Sequence, residues 1–172
     1  MREVMRLDNE QLERIDHSHV SKNLLKIHTS QIRRQLRKLG AVQYDLILPE
    51  TNALPLVIQP NEIIEGIVYG RYKQDSPDSS HITIGRGALI ATDRRVLLID
   101  RKPLFMKCSE ISHRVINAVS YSRVGFMGTV TLHTKIGDIR VRTFNQNCAH
   151  CFVEAVENDL LTPKEQSYDY AT

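Results

Sequence analysis

The sequence predicts an α+β fold that is mainly β: a small antiparallel barrel or half-open sandwich of about seven strands, capped by a C-terminal helix. One observation is that short apolar segments alternate with turn signals without a break from Gly85 to Phe144. A second is that the residues directly after them, Asn147 to Leu161, have the apolar spacing of an amphipathic helix. This arrangement is typical of a binding scaffold, and the chain contains no recognisable catalytic constellation.

An N-terminal amphipathic helix is predicted from His19 to Leu39, a stretch without Asp, Glu, Gly or Pro. Asn9 to Asp16 is expected to form a separate short turn of helix. The helix has one apolar stripe: Leu25, Ile32, Leu36 and Leu39. Because an isolated helix of about 20 residues is only marginally stable in water, we expect this stripe to dock on the barrel or on a second copy of the chain. Docking would leave four basic side chains outward, as candidates for contact with anionic lipid or an acidic partner: Lys22, Lys26, Arg33 and Arg37.

Prolines interrupt the next segment at Pro49, Pro55 and Pro60. Before the first of them, Val42 to Leu48 is expected to form an edge strand or, failing that, an extended linker. We therefore place the domain boundary in this segment. The predicted division is a helical extension over 1–40, a linker or edge strand over 41–61, the strand-rich domain over 62–161 and a flexible tail over 162–172.

The strands follow from β-branched and aromatic runs separated by turns. A bent first strand is predicted from Ile63 to Tyr72, and a hairpin turn at Thr92, Asp93 and Arg94. Val115 to Tyr121 and Gly128 to Phe144 supply three more strands. The C-terminal helix, with Asn147 as its N-cap, presents an apolar face that can plug the open corner of a small barrel: Cys148, Cys151, Phe152, Ala155 and Val156.

Composition and charge narrow the function further. The hydrophobic content of 41% and the charged content of 25% are ordinary for a globular protein. No apolar run approaches the roughly 18 to 20 residues that span a bilayer, and the first residues are not a signal peptide, so we expect a cytoplasmic protein, at most peripheral to the inner face of the membrane. Residues 1–40 carry nine Lys and Arg against five Asp and Glu, a net of +4, whereas residues 41–172 have a net of −1. The near-neutral body argues against nucleic acid as a partner.

The order of these elements resembles the bacterial pleckstrin-homology-like (PH-like or GRAM-like) domain family over residues 62–161. The strand–turn–strand signature of the family is similar to Gly87, Leu89, Thr92, Asp93 and Arg95. Its isoleucine-containing strand is similar to Ile111, Ile116 and Val119, and its glycine-led strand to Gly128 to Leu132. The core of its last helix is similar to Phe152, Ala155 and Val156. It implies a strongly bent, seven-stranded antiparallel sheet with a C-terminal helix. It also implies a non-catalytic interaction module without a cofactor, engaged in protein–protein contact or self-association, with a weaker peripheral contact to anionic membrane.

In membrane-binding members of this family, basic residues cluster around the first hairpin. The matching positions here are Arg71, Lys73 and Arg86, opposed by Asp75 and Asp78. This sparse pattern does not predict specific inositide binding. It is compatible with a weaker anion site.

Two alternatives to the interaction module remain. Cys148, His150 and Cys151 could form a redox pair or half of a zinc site at the start of a helix. Against this, both sulfurs lie on the apolar helix face, no second CxxC motif exists, and Cys108 is single, so we expect reduced, buried cysteines and no metal. The other alternative is nucleic-acid binding through the basic N-terminal helix.

Overall fold

The computed structural model describes residues 9–75, 82–102 and 104–162, and the side chains within these ranges except those of residues 9–20 and Arg101. Three N-terminal helices precede the sheet: α1 (Asn9–Lys38), α2 (Gln43–Leu46) and α3 (Pro49–Val57). The strands are β1 (Ile64–Asp75), β2 (Ile82–Thr92), β3 (Val96–Arg101), β4 (Met106–Ile111), β5 (Ile116–Val124), β6 (Met127–Thr134) and β7 (Ile139–Thr143). A 3-10 turn (His113–Val115) precedes β5, and helix α4 (Gln146–Leu161) follows β7.

The seven described strands form one antiparallel sheet in the order β4-β3-β2-β1-β7-β6-β5. The predicted fold class is therefore confirmed, including the C-terminal helix. The Thr92–Arg94 turn lies between β2 and β3, as expected. The tail beyond Thr162 and the predicted opposing charge of Asp78 lie outside the described residues.

One face of the sheet, the inner face, packs against α4. Phe152 is fully buried there, in a core cluster with side chains from all seven strands. Gly66 of β1 permits the close approach, since a Cβ atom at this position would lie 2.6 Å from the Cα of Phe152. The N-cap lies two residues earlier than predicted, because the side chain of Asn145, not that of Asn147, accepts a hydrogen bond from the Cys148 amide at 3.1 Å.

The other face, the outer face, is covered in part by the N-terminal helices. Ile32 and Leu36 of α1 are buried there, at 2% and 0% exposure. Leu25 is 45% exposed, so its expected docking is wrong. The reason is length: α1 is one continuous helix of 30 residues rather than a helix plus a separate turn, and among its described side chains those that pack on the rest of the protein lie C-terminal to Leu25.

The segment between α1 and the sheet is helical, which corrects the expectation of an edge strand or extended linker at Val42–Leu48. Pro49 occupies the first turn of α3, where its missing N–H costs no helical hydrogen bond. Pro55 lies inside this short helix without ending it. The apolar side chains of Leu46, Leu54 and Ile58 are buried against the outer face of the sheet, and this burial outweighs the local proline signals.

A buried ion pair fixes the end of α3 to the β2–β3 hairpin. The Arg95 guanidinium donates to both carboxylate oxygens of Glu62 at 2.9 Å and to the carbonyl of Val57 at 3.1 Å. The hydroxyl of Thr92 donates to the same carboxylate at 2.8 Å. Burial alone would raise the pKa of Glu62, but the hydrogen bonds from Arg95, the Gln59 amide and Thr92 outweigh it and lower this pKa to about 2.

Candidate functional site

Strand register brings three arginines side by side on the outer face. Arg71 of β1 is opposite Arg86 of β2 and, on its other side, opposite Arg142 of β7. Residues directly opposite each other in antiparallel strands share a face, with Cα atoms about 5 Å apart. We call this set, Arg86, Arg71 and Arg142, the arginine row.

The arginine row has no counter-ion in the part of the chain that the structure describes. All three side chains are exposed, and none has an ion pair or side-chain hydrogen bond among those residues. The neighbouring row differs: Lys73 lies 3.6 Å from Asp75, and Arg140 contacts Asp75 at 2.5 Å and Asp138 at 3.3 Å. Because like charges directly opposite each other destabilise a sheet, the arginine row is a place where an added anion is favoured.

A groove of about 1300 Å³ lies along the arginine row. One wall is formed by α2 and the residues around it, which present Val42 and Tyr44. The end of β7 and the start of α4 also line the groove next to α2, and Phe144 is 76% exposed there. The groove therefore combines cationic and apolar surface.

The acidic groups that line the groove are buried and already engaged. Asp45 accepts hydrogen bonds from the Val42 amide at 3.0 Å and from the Asn145 side chain at 2.8 Å. Asp100 accepts the Tyr72 hydroxyl at 2.8 Å. Neither of them forms an ion pair with the arginine row, nor does Glu50 of α3, the third buried acid that lines the groove. Their hydrogen bonds shape the groove, since Asn145 also caps α4 and donates to the Gly40 carbonyl at 3.0 Å.

Comparison with known proteins now identifies the fold. Residues 58–158, more than half of the chain, match the family described as "Bacterial PH domain". The chain belongs to this family. No curated protein matches it.

Solved structures similar to this PH domain also contain PH domains. One is described as "Vps36 N-terminal PH domain", with a TM-score of 0.44, 16% identity and coverage of 62% of this chain and 87% of that one. A second holds the linker-DH/PH domains of p115-RhoGEF, with a TM-score of 0.37, 12% identity and coverage of 90% and 46%. This chain thus spans less than half of that second structure.

PH domains are generally interaction modules, and the family match confirms the expected identity as a PH-like module at that level. The groove extends beyond the matched residues, because Val42, Tyr44 and Asp45 belong to the segment before residue 58. Among the helices that the structure describes, none is both long and apolar enough to cross a bilayer.

The sequence-predicted site residues of this PH domain are divided between two places. Arg71 and Arg86 are brought together, whereas Lys73 is paired with Asp75. Four predicted basic residues are exposed on α1, and none of them lines the groove: Lys22, Lys26, Arg33 and Arg37. Sequence reasoning missed Arg142. The alternation in β7 places Arg140 and Arg142 on one face, but only the topology shows that β7 lies beside β1.

The cysteine-containing motif is a packing feature where the structure describes it. Cys148 is fully buried, Cys151 is half-buried, and both are free cysteines. Burial raises the pKa of the Cys148 thiol to about 12, which disfavours the reactive thiolate. His150 is exposed, with its ring 4.5 Å from that of Tyr121. Within residues 9–75, 82–102 and 104–162, no group of three or more His, Cys, Asp or Glu side chains is placed to hold a metal ion.

Proposed function

We propose that this PH domain is a non-catalytic interaction module that binds an anionic group of a partner in the groove along the arginine row. The observation that carries the proposal is the alignment of Arg86, Arg71 and Arg142 without a counter-ion among the described residues. A guanidinium binds carboxylate or phosphate through two parallel N–H donors, and such charge-assisted hydrogen bonds are stronger than neutral ones. Three neighbouring guanidinium groups therefore favour a ligand with more than one anionic oxygen.

The test measures the binding of inorganic pyrophosphate to the full chain by NMR titration. The row variant replaces all three arginines: Arg71→Gln, Arg86→Gln and Arg142→Gln. We expect it to bind pyrophosphate at least about tenfold more weakly, because each charge-assisted hydrogen bond contributes roughly 1.5 to 3 kcal/mol. Its stability should be unchanged or higher, since the substitution removes repulsion between opposed like charges.

A matched control removes three exposed positive charges outside the groove: Arg34→Gln, Lys107→Gln and Arg114→Gln. The affinity of this charge control for pyrophosphate should be within about twofold of that of the wild-type protein, because the control loses only long-range attraction. Equal weakening in both variants would show that net charge, rather than the arginine row, governs binding, and the proposal would then be wrong.

Contact of α1 with an anionic membrane is a second candidate function, favoured by one observation. Leu24 and Ile27 are 61% and 56% exposed on the same helix as the exposed Lys22 and Lys26. Basic and apolar residues together on one helix suit the interface of an anionic bilayer. Co-sedimentation with phosphatidylglycerol vesicles should fall when Leu24 and Ile27 are both changed to Ser. It should not respond to the row variant.

A further inference from the structure

The walls and size of the groove carry an inference that rests on the proposed function and specifies its partner. We propose that the groove accommodates an acidic peptide segment of a partner protein. Carboxylates of this segment contact the arginine row, and a bulky apolar side chain of the segment packs against Tyr44 and Phe144.

The size of the groove favours a peptide over a small molecule. Its volume of about 1300 Å³ exceeds the roughly 300 to 1,000 Å³ of typical small-molecule sites. Its shape favours a peptide over a bilayer, because α2 and α3 cover the outer face of the sheet next to the arginine row and stand above it on that side. A chain segment can lie along this step between the helices and the sheet, whereas a flat membrane surface cannot follow it.

The chemistry of the lining also fits a peptide. Tyr44 is 59% exposed and Phe144 is 76% exposed, and aromatic side chains together with Arg are the residues most enriched in protein-binding hot spots. Gln146 and Asn147, at the start of α4, line the same groove. Neither side chain has a hydrogen-bond partner among the described residues. A carboxamide offers both a donor and an acceptor, which suits the backbone of an extended peptide.

Like-charge repulsion completes the argument for an acidic segment. The arginine row holds three positive charges on residues whose Cα atoms are about 5 Å apart, and several separate carboxylates along a peptide can pair with such a row. A single anionic group would neutralise only part of the row. Recognition of acidic motifs by arginine clusters is a known mode of peptide binding.

The experiment compares two probes on the full 172-residue chain. The first is a blocked ten-residue peptide that combines glutamates with two phenylalanines, and the second is inorganic pyrophosphate. The aromatic variant replaces two exposed aromatic side chains that line the groove, with Tyr44→Ser and Phe144→Ser. Its matched control replaces two exposed apolar side chains outside the groove, Leu56→Ser with Ile136→Ser.

We expect the peptide to bind at least fivefold more weakly to the aromatic variant and at least tenfold more weakly to the row variant. The Leu56/Ile136 control should bind it like the wild-type protein. Pyrophosphate binding should be weakened only in the row variant. A peptide with glutamine in place of glutamate should not bind.

Each failure has a separate meaning. If pyrophosphate binds the row variant as tightly as the wild-type protein, the proposed anion-binding function itself is wrong. If pyrophosphate responds but the peptide does not bind, or binds the aromatic variant normally, only the inference of a peptide partner is overturned. If the row variant and the aromatic variant both weaken binding to phosphatidylglycerol vesicles and the peptide does not bind, the occupant is a membrane. The inference is then equally overturned.

Discussion

The ion pair between Glu62 and Arg95 makes the stability of this PH domain depend on pH in a way that one substitution can isolate. The carboxylate of Glu62 is 3% exposed, and its pKa is lowered from 4.5 to about 2. A shift of this size corresponds to roughly 3 kcal/mol of stabilisation, since each pKa unit is worth 1.36 kcal/mol. Because the folded-state pKa is the lower one, this contribution is fully present above about pH 5. It is lost as the pH falls through 4.5 towards 2.

The variant is Glu62→Gln, which keeps the size of the side chain and removes its titration. Urea denaturation between pH 7 and pH 2.5 gives the free energy of unfolding of both proteins. We expect the variant to be less stable by about 2 to 4 kcal/mol at pH 7, where it leaves part of the Arg95 fork without its carboxylate partner. The difference should shrink steadily below pH 4.5.

A control removes an exposed partner of the same guanidinium. Glu110 contacts Arg95 at 2.8 Å but its side chain is 62% exposed, so Glu110→Gln should cost at most about 1 kcal/mol. If the stability difference between wild-type and Glu62→Gln is the same at pH 7 and pH 3, then Glu62 does not titrate as its contacts imply. The assignment of this network as the source of the acid sensitivity would then be refuted.

Two further outcomes follow from burial. The double variant Ile32→Asp with Leu36→Asp should lower the free energy of unfolding by more than about 4 kcal/mol, because both side chains are buried on the outer face. It should also increase hydrogen exchange in residues 62–161. Unchanged exchange would mean that α1 docks without stabilising the sheet. Thiol labelling under native conditions, followed by mass spectrometry, should modify the exposed Cys108 first and Cys148 only on unfolding. Equal rates at these two cysteines would contradict the placement of Cys148 in the core.

Those parts of the fold that local sequence signals determine were predictable. The β2–β3 hairpin follows from turn residues between two β-branched runs, and α4 follows from an uninterrupted apolar spacing that ends in Phe152, Ala155 and Val156. The helices at Gln43–Leu46 and Pro49–Val57 were not predictable in the same way. Their stability comes from burial of Leu46 and Leu54 on a sheet face formed by distant residues, and tertiary burial overrides local propensity.

The candidate site illustrates the same limit. Arg71 and Arg86 could be grouped from the sequence because they flank one hairpin, whereas Arg142 lies 71 residues after Arg71 in the chain. It joins them only because β7 pairs with β1. Residue type and strand alternation indicated which side chains share a face of one strand, but the neighbours of that strand are a property of the whole sheet.

The N-terminal helices have two consequences for the outer face of the sheet. Buried apolar residues such as Tyr69, Ala88 and Ile90 share this face with the arginine row, and α1–α3 remove them from water. Tyr69 is fixed to α3 by a 2.8 Å hydrogen bond between its hydroxyl and that of Thr51. The same helices end beside Arg71 and Arg86 and do not cover them, so α2 becomes a wall where the matched PH residues alone would present an open face. Stability and the shape of the proposed binding site therefore depend on the same segment. For this reason, a test of binding has to be made on the full chain rather than on residues 58–158.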